Sequence, residues 1–280
     1  MENNEIKGRR EIINIERNEL QNLKNNSNVS NYNVNNDDND NNGNVVPWRK
    51  KFFAEFIGGI FLLYIGSGVG VYTKGDLVPI ALTNGMILGC LVYIFGPISG
   101  GHFNPSITIS EFLRKRLTLV ELIYYIIAQI VGGFIGSVFV AVCNRGKFDR
   151  LASNQIAQYL ITFNDINNTK IDAWCYICAL LCEIILTYFL ILLFISLTTS
   201  KHTRNSNVNG IIVGASLTMF IFTGFHISGG SLNLMRSLPP AALEAIFGHN
   251  NTAIKQIWIY IVGPVVGSVI ATYTAPFLLQ

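Results

Sequence analysis

Six separate stretches of roughly twenty mostly apolar residues leave this chain few ways to fold. They fall at 52–72, 77–97, 117–142, 173–197, 208–225 and 257–279. A helix needs about 20 apolar residues to cross a hydrocarbon core about 30 Å thick. Inside lipid only helices and closed barrels satisfy every backbone polar group. Only 13% of the residues are Asp, Glu, Lys or Arg, against about 25% in a typical soluble domain. An all-α membrane protein with six transmembrane helices is predicted, and an even number of spans puts both termini on one side.

Basic residues beside the spans indicate which side. Arg49, Lys50 and Lys51 precede the first span. Arg114, Lys115 and Arg116 lie between the second and third, and Lys201 and Arg204 between the fourth and fifth. These flanks, and with them both termini, are expected in the cytoplasm. The opposite connections carry Lys74, Arg145, Lys147, Arg150 and Lys170, so the bias is modest. Two sequons, Asn167-Asn168-Thr169 and Asn250-Asn251-Thr252, fall on the extracellular side and make Asn167 and Asn250 glycosylation candidates. The expected location is a plasma membrane, or the membrane of an intracellular vesicle or vacuole. A net charge of +3 without a basic stripe argues against nucleic acid as a partner.

Residues 1–46 form a different kind of sequence. Eleven of the twenty residues from 25 to 44 are Asn. Such a segment buries too little apolar surface to offset its ordering entropy and reads as a disordered cytoplasmic tail. Residues 5–24 mix Ile12, Ile13, Ile15, Leu20 and Leu23 with charges. They read as a solvated tail, with a helix on the membrane or over a pore mouth as the alternative. The polar first residues do not resemble a cleavable signal peptide. A channel domain is expected over 47–280. The cysteines suggest neither a metal nor a cofactor. Cys175 and Cys178 form a C-x-x-C spacing, but no second pair or His partner follows, so they read as small buried side chains.

Two connections are too apolar to be ordinary loops. Ser99-Gly100-Gly101-His102-Phe103-Asn104-Pro105-Ser106 follows the second span, and Ser228-Gly229-Gly230-Ser231-Leu232-Asn233-Leu234-Met235-Arg236 follows the fifth. Asn233 lies 129 residues after Asn104 (233 − 104), and Glu183 lies 128 after Glu55 (183 − 55). The chain is therefore read as a duplicated three-span unit, over about 52–142 and 173–279. Three is odd, so the second copy enters the membrane inverted. Each Asn stands where a short helix begins. Its side-chain oxygen caps the first turn and its NH₂ remains as a donor. Two half-helices re-entering from opposite faces would meet N-terminus to N-terminus. Their dipoles would place positive potential and amide donors at a pore centre that accepts water and repels cations.

At these residues the sequence resembles the major intrinsic protein family, the aquaporins and aquaglyceroporins. The resemblance covers about 52–279 and also includes Ala128-Gln129, Glu183-Ile184-Ile185-Leu186-Thr187 and Trp258-Ile259-Tyr260-Ile261-Val262-Gly263-Pro264. It implies six spans with two re-entrant half-helices, a homotetramer in a lipid bilayer, and a channel that is not an enzyme. It departs from the family's repeated Asn-Pro-Ala. The first copy ends in Ser106, and the second reads Asn233-Leu234-Met235, losing the Pro favoured at the first helical position. Met235 either turns aside or narrows the junction. By spacing from the Asn pair, the family's outer filter maps to Asn84, Ile221, Gly230 and Arg236, which match neither the water-type nor the glycerol-type set. Asn84 is read equally as pore lining or as an interhelical hydrogen bond. Ser237, Ala241 and Tyr260 lean towards the water type. His102 and His226 are vestibule candidates, with a hydrogen-bonded structural role as the alternative. Glu55 and Glu183 are implied to hold half-helix backbone groups.

Passive flux of water is the expected function. The alternatives are a channel for glycerol or other small neutral solutes, and a closed structural membrane protein. Residues 198–207 or the tail are candidates for a cytoplasmic gate, with Ser200, Thr203 and Ser206 as possible modification sites.

Overall fold

The structure is a computed structural model that describes residues 46–162, 170–200, 203 and 208–279, all within one compact unit. Among the described residues the regular structure is entirely helical. In chain order the helices are α1 (Trp48–Tyr72), α2 (Leu77–Ser99), α3 (Pro105–Leu113), α4 (Leu119–Cys143), α5 (Gln158–Ile161), α6 (Ala173–Thr199), α7 (Asn209–Gly224), α8 (Leu234–Phe247), α9 (Thr252–Lys255) and α10 (Ile257–Leu278). Five of them, α1, α2, α4, α6 and α10, are long and apolar enough to cross a membrane. The sixth expected span, α7, is equally apolar but has 16 residues, about 24 Å at 1.5 Å per residue. Its chain continues through turns at 225–228 into the second re-entrant segment. The tail, Asn167, and residues 201, 202 and 204–207 of the candidate gate lie outside the described residues.

Helix ends follow local chemistry. Thr118 and Glu121 form a reciprocal capping box at the start of α4. Asp172 caps α6 by accepting from Cys175 N–H at 2.8 Å, and that bond holds its carboxyl below the usual range. Trp48, Trp174 and Trp258 each stand in the first two residues of a long helix, where amphipathic rings suit a headgroup layer.

The long helices pair as α1 with α4, α2 with α7, and α6 with α10. Small residues let the backbones approach, as packing without a hydrophobic driving force requires. A Cβ on Gly89 would lie 2.7 Å from Gly210 O, and one on Gly210 would lie 2.6 Å from Gly89 O. The polarity is inside out relative to a soluble protein. Met86, Tyr93, Val120 and Ile211 are all more than 65% exposed, while Glu55, Glu183, Gln129, Thr108 and Ser237 are fully buried. The exposed belt suits lipid, and the buried polar set surrounds the two half-helices.

Candidate functional site

The half-helices α3 and α8 begin alike. Asn104 has φ −157° and ψ 120°, and its side-chain oxygen accepts from Ser106 N–H at 2.9 Å. Asn233 has φ −154° and ψ 112° and accepts from Met235 N–H at 3.0 Å. Loss of the Pro from the second copy therefore leaves the cap unchanged. The segments leading in also match. Gly100, Gly101 and Phe103 have φ of 82°, 66° and 44°, and Gly229, Gly230 and Leu232 have 82°, 60° and 57°. Phe103 and Leu232 carry a Cβ that the left-handed region disfavours, so their surroundings must hold them there.

Two buried carboxylates do this. Glu55 accepts from Ser99 Oγ at 2.6 Å, His102 N–H at 3.0 Å, Phe103 N–H at 2.7 Å and Gln129 Nε2 at 2.8 Å. Glu183 accepts from Ser228 Oγ at 2.7 Å, Ser231 N–H at 2.9 Å and Leu232 N–H at 2.7 Å. A tyrosine closes each loop. Tyr125 donates to Ser99 O at 2.7 Å, and Tyr260 donates to Ser228 O at 2.6 Å. The tyrosines are 135 residues apart (260 − 125), so the spacing of the Asn and Glu pairs did not reveal them as counterparts.

The two caps meet. Asn104 Nδ2 donates to Leu232 O at 2.9 Å, and Asn233 Nδ2 donates to Phe103 O at 2.8 Å. Each Asn thus binds the carbonyl just before the other. An amide NH₂ has two hydrogens, which leaves one on each Asn for a guest, and both residues line one internal cavity. That cavity has a volume of about 40 Å³. Its wall includes Asn84, Ile221, Gly230 and Arg236, together with His102, and apolar side chains such as Leu62, Leu190 and Leu217. No carboxylate is among the described lining residues.

Asn84 has two kinds of neighbour. It lines the cavity, and its Nδ2 donates to Gly66 O at 3.1 Å and Ile80 O at 2.9 Å. His102 does likewise, with Nδ1 3.2 Å from Thr108 Oγ1 and its ring 5.0 Å from Tyr125. His226 behaves differently. It is exposed, sits edge-on to Phe225 at 5.4 Å, and does not line the cavity. Pro105 and Ser106 are buried, with Ser106 O accepting from Ser268 Oγ at 2.7 Å. Leu234 and Met235 do not line the cavity. Met235 is fully buried, and its Cγ would lie 3.3 Å from a Cβ placed on Gly133, so the side chain packs against α4. Asn250 Oδ1 accepts from Thr252 N–H at 3.2 Å within the sequon.

Arg236 donates from Nη2 to Ala152 O at 3.0 Å, while Nη1 is buried with no acceptor among the described residues. Sequence reasoning passed over the connection that supplies Ala152. Its neighbour Asn154 lines the cavity, donates to Gly229 O at 3.0 Å and accepts from Ser237 Oγ at 3.1 Å. No motif or periodicity marks these residues. A polar run after α4 reads as an ordinary loop until its partners are seen.

A cavity of this kind offers donors to a neutral oxygen and an apolar wall elsewhere, as a filter for small uncharged molecules requires. The comparisons agree. A family model described as Major intrinsic protein matches residues 44–274. A Lactiplantibacillus plantarum protein described as glycerol uptake facilitator protein-like 6 is 31% identical, covering 81% of this chain and 96% of the relative. Aquaporin-5 of Sus scrofa is 30% identical, covering 82% of this chain and 81% of the relative. The solved aquaglyceroporin from Plasmodium falciparum superposes with a TM-score of 0.66 over 81% of this chain and 95% of that one, at 21% identity, which speaks for the fold alone. Fold, paired caps and family match converge on one statement: the chain belongs to the major intrinsic protein family, whose members are membrane channels and not enzymes.

Proposed function

We propose that this channel conducts water passively, in single file past Asn104 and Asn233 and past Arg236. The observation that carries this reading is the size of the cavity those residues share. Its volume of about 40 Å³ holds a few waters, at about 10–15 Å³ of such volume for each. The Asn amides supply donors to a water oxygen, and with Arg236 on the same wall they offer a cation only repulsion. Asn104, Asn233, Asn84, Ile221, Gly230 and Arg236 are the residues proposed to touch the passing solute.

A second reading, conduction of glycerol or another small neutral solute, is supported by two facts. The filter positions lack bulky aromatics, and the relative from Lactiplantibacillus plantarum is described as glycerol uptake facilitator-like. The two readings separate in proteoliposomes holding the full chain. Fast shrinkage in an impermeant osmolyte, followed by light scattering, with no re-swelling in glycerol, is the expected result. Rapid re-swelling would favour the second reading, and shrinkage no faster than in empty vesicles would overturn both. The cytoplasmic placement of both termini is proposed on the basic flanks alone, and the homotetramer on family resemblance alone.

A further inference from the structure

Glu244 is one of the most buried charged residues in the chain, at 3% exposure, and nothing in the half-helix motif calls for a carboxylate there. It lies on α8 eight residues beyond Arg236, and its two oxygens grip the 151–153 connection from behind. Oε1 accepts from Leu151 N–H at 2.6 Å and Oε2 accepts from Ser153 Oγ at 2.6 Å. Between those two anchors, Ala152 takes φ +53°, a region that a residue with a Cβ avoids unless it is held there. In that conformation its carbonyl turns to Arg236 and accepts Nη2 at 3.0 Å. Among the described residues no ion pair joins Glu244 to Arg236 directly. The carboxylate reaches the guanidinium through the connection.

We propose that Glu244 is the positioning residue for Arg236. By clamping Leu151 and Ser153 it presents the Ala152 carbonyl, and that carbonyl fixes the guanidinium in place beside the passage. A long flexible side chain anchored at one nitrogen keeps one orientation; released, it samples several, and the opening beside it loosens. Water needs the least room, so the loosening shows first in a larger solute. Glu244 thereby sets how sharply the filter separates water from glycerol. This rests on the reading that Arg236 borders the conducting path.

The test measures water and glycerol permeability per inserted protein in proteoliposomes of the full chain. Glu244→Ala is expected to raise the glycerol-to-water ratio at least threefold. Glu244→Gln, which keeps the shape and an acceptor oxygen, is expected to recover most of the wild-type ratio, an outcome that mere volume filling on α8 would also allow. The double variant separates the two: Arg236→Ala raises the ratio, and adding Glu244→Ala to it changes the ratio no further. An unmoved ratio in well-inserted Glu244→Ala, or a shift that adds in full to that of Arg236→Ala, overturns the proposal. Should Glu244→Ala fail to insert, Ser153→Ala, which removes one of the two anchors, carries the test. It gives a smaller shift in the same direction, and no shift overturns the proposal. Absence of water flux in the wild type sinks the channel reading and this inference together, whereas wild-type flux with an unmoved ratio sinks this inference alone.

Discussion

Glu55 is buried where water cannot replace a lost partner, yet it accepts four hydrogen bonds from two separate parts of the chain. Removing such an acceptor strands its donors, at about 1–3 kcal/mol for each buried group left unsatisfied. Glu55→Ala and Glu183→Ala are therefore expected to lose several kcal/mol, by rough count of the stranded donors, and to lose water flux. Thermal unfolding in detergent and vesicle shrinkage check the two effects, and a variant that keeps both midpoint and flux would show that the loops hold their shape without the carboxylates. Met235 makes the opposite case. Its fully buried side chain packs against α4 and is not among the residues that line the cavity, so Met235→Ala opens a void at a cost of about 2–5 kcal/mol. The melting temperature should fall while flux per inserted channel stays the same. A rise in flux would mean that the thioether throttles the path.

At the scale of elements, α8 shows how little a helix start depends on one residue. Asn233 makes the same cap as Asn104 although Leu234 stands where α3 has Pro105. The first helical N–H has no intrahelical acceptor, and a Pro there is already set to helical φ. Leu234→Pro is expected to be neutral or to raise stability by about 0.4–1 kcal/mol through the unfolded state, read as a small upward shift of the thermal midpoint. A fall in midpoint would show that the Leu234 side chain matters more than the turn it begins. The α2–α7 contact tolerates far less. A Cβ on Gly214 would strike Gly85 O and lie 3.3 Å from Gly89 Cα. Gly214→Val is expected to force the two backbones apart and to abolish the folded channel, seen as aggregation on size-exclusion chromatography in detergent.

The whole molecule is arranged by two opposing solvation demands. Lipid takes the exposed apolar belt, and the buried polar set is bound into the inverted loops. If both termini are cytoplasmic, the C-terminal end of α4 faces outward, and Cys143 there is free and exposed. A membrane-impermeant maleimide applied to intact cells is expected to label the wild type and not Cys143→Ser. Labelling only after the membrane is opened would invert the proposed orientation. Several features of this arrangement could be read from residues alone. Long apolar runs identify lipid-crossing helices because the bilayer sets their length. The matched S-G-G-x-x-N segments and the Glu pair identify the repeat because duplication preserves spacing. Where spacing drifted, the reading missed a counterpart, as with Tyr125 and Tyr260. His102 and His226 both stand beside a half-helix, and of the two His102 lines the cavity. By itself, then, the sequence determined the helical membrane class, the inverted repeat and the two capping Asn residues, all of which follow from local composition and from distances along the chain. Tertiary structure alone decided which way Met235 turns, that the Asn84 amide is taken up by Gly66 and Ile80 carbonyls, and that Glu244 holds Arg236 through Ala152. Those outcomes depend on which backbone groups remote segments bring within hydrogen-bonding reach, and no local pattern encodes that.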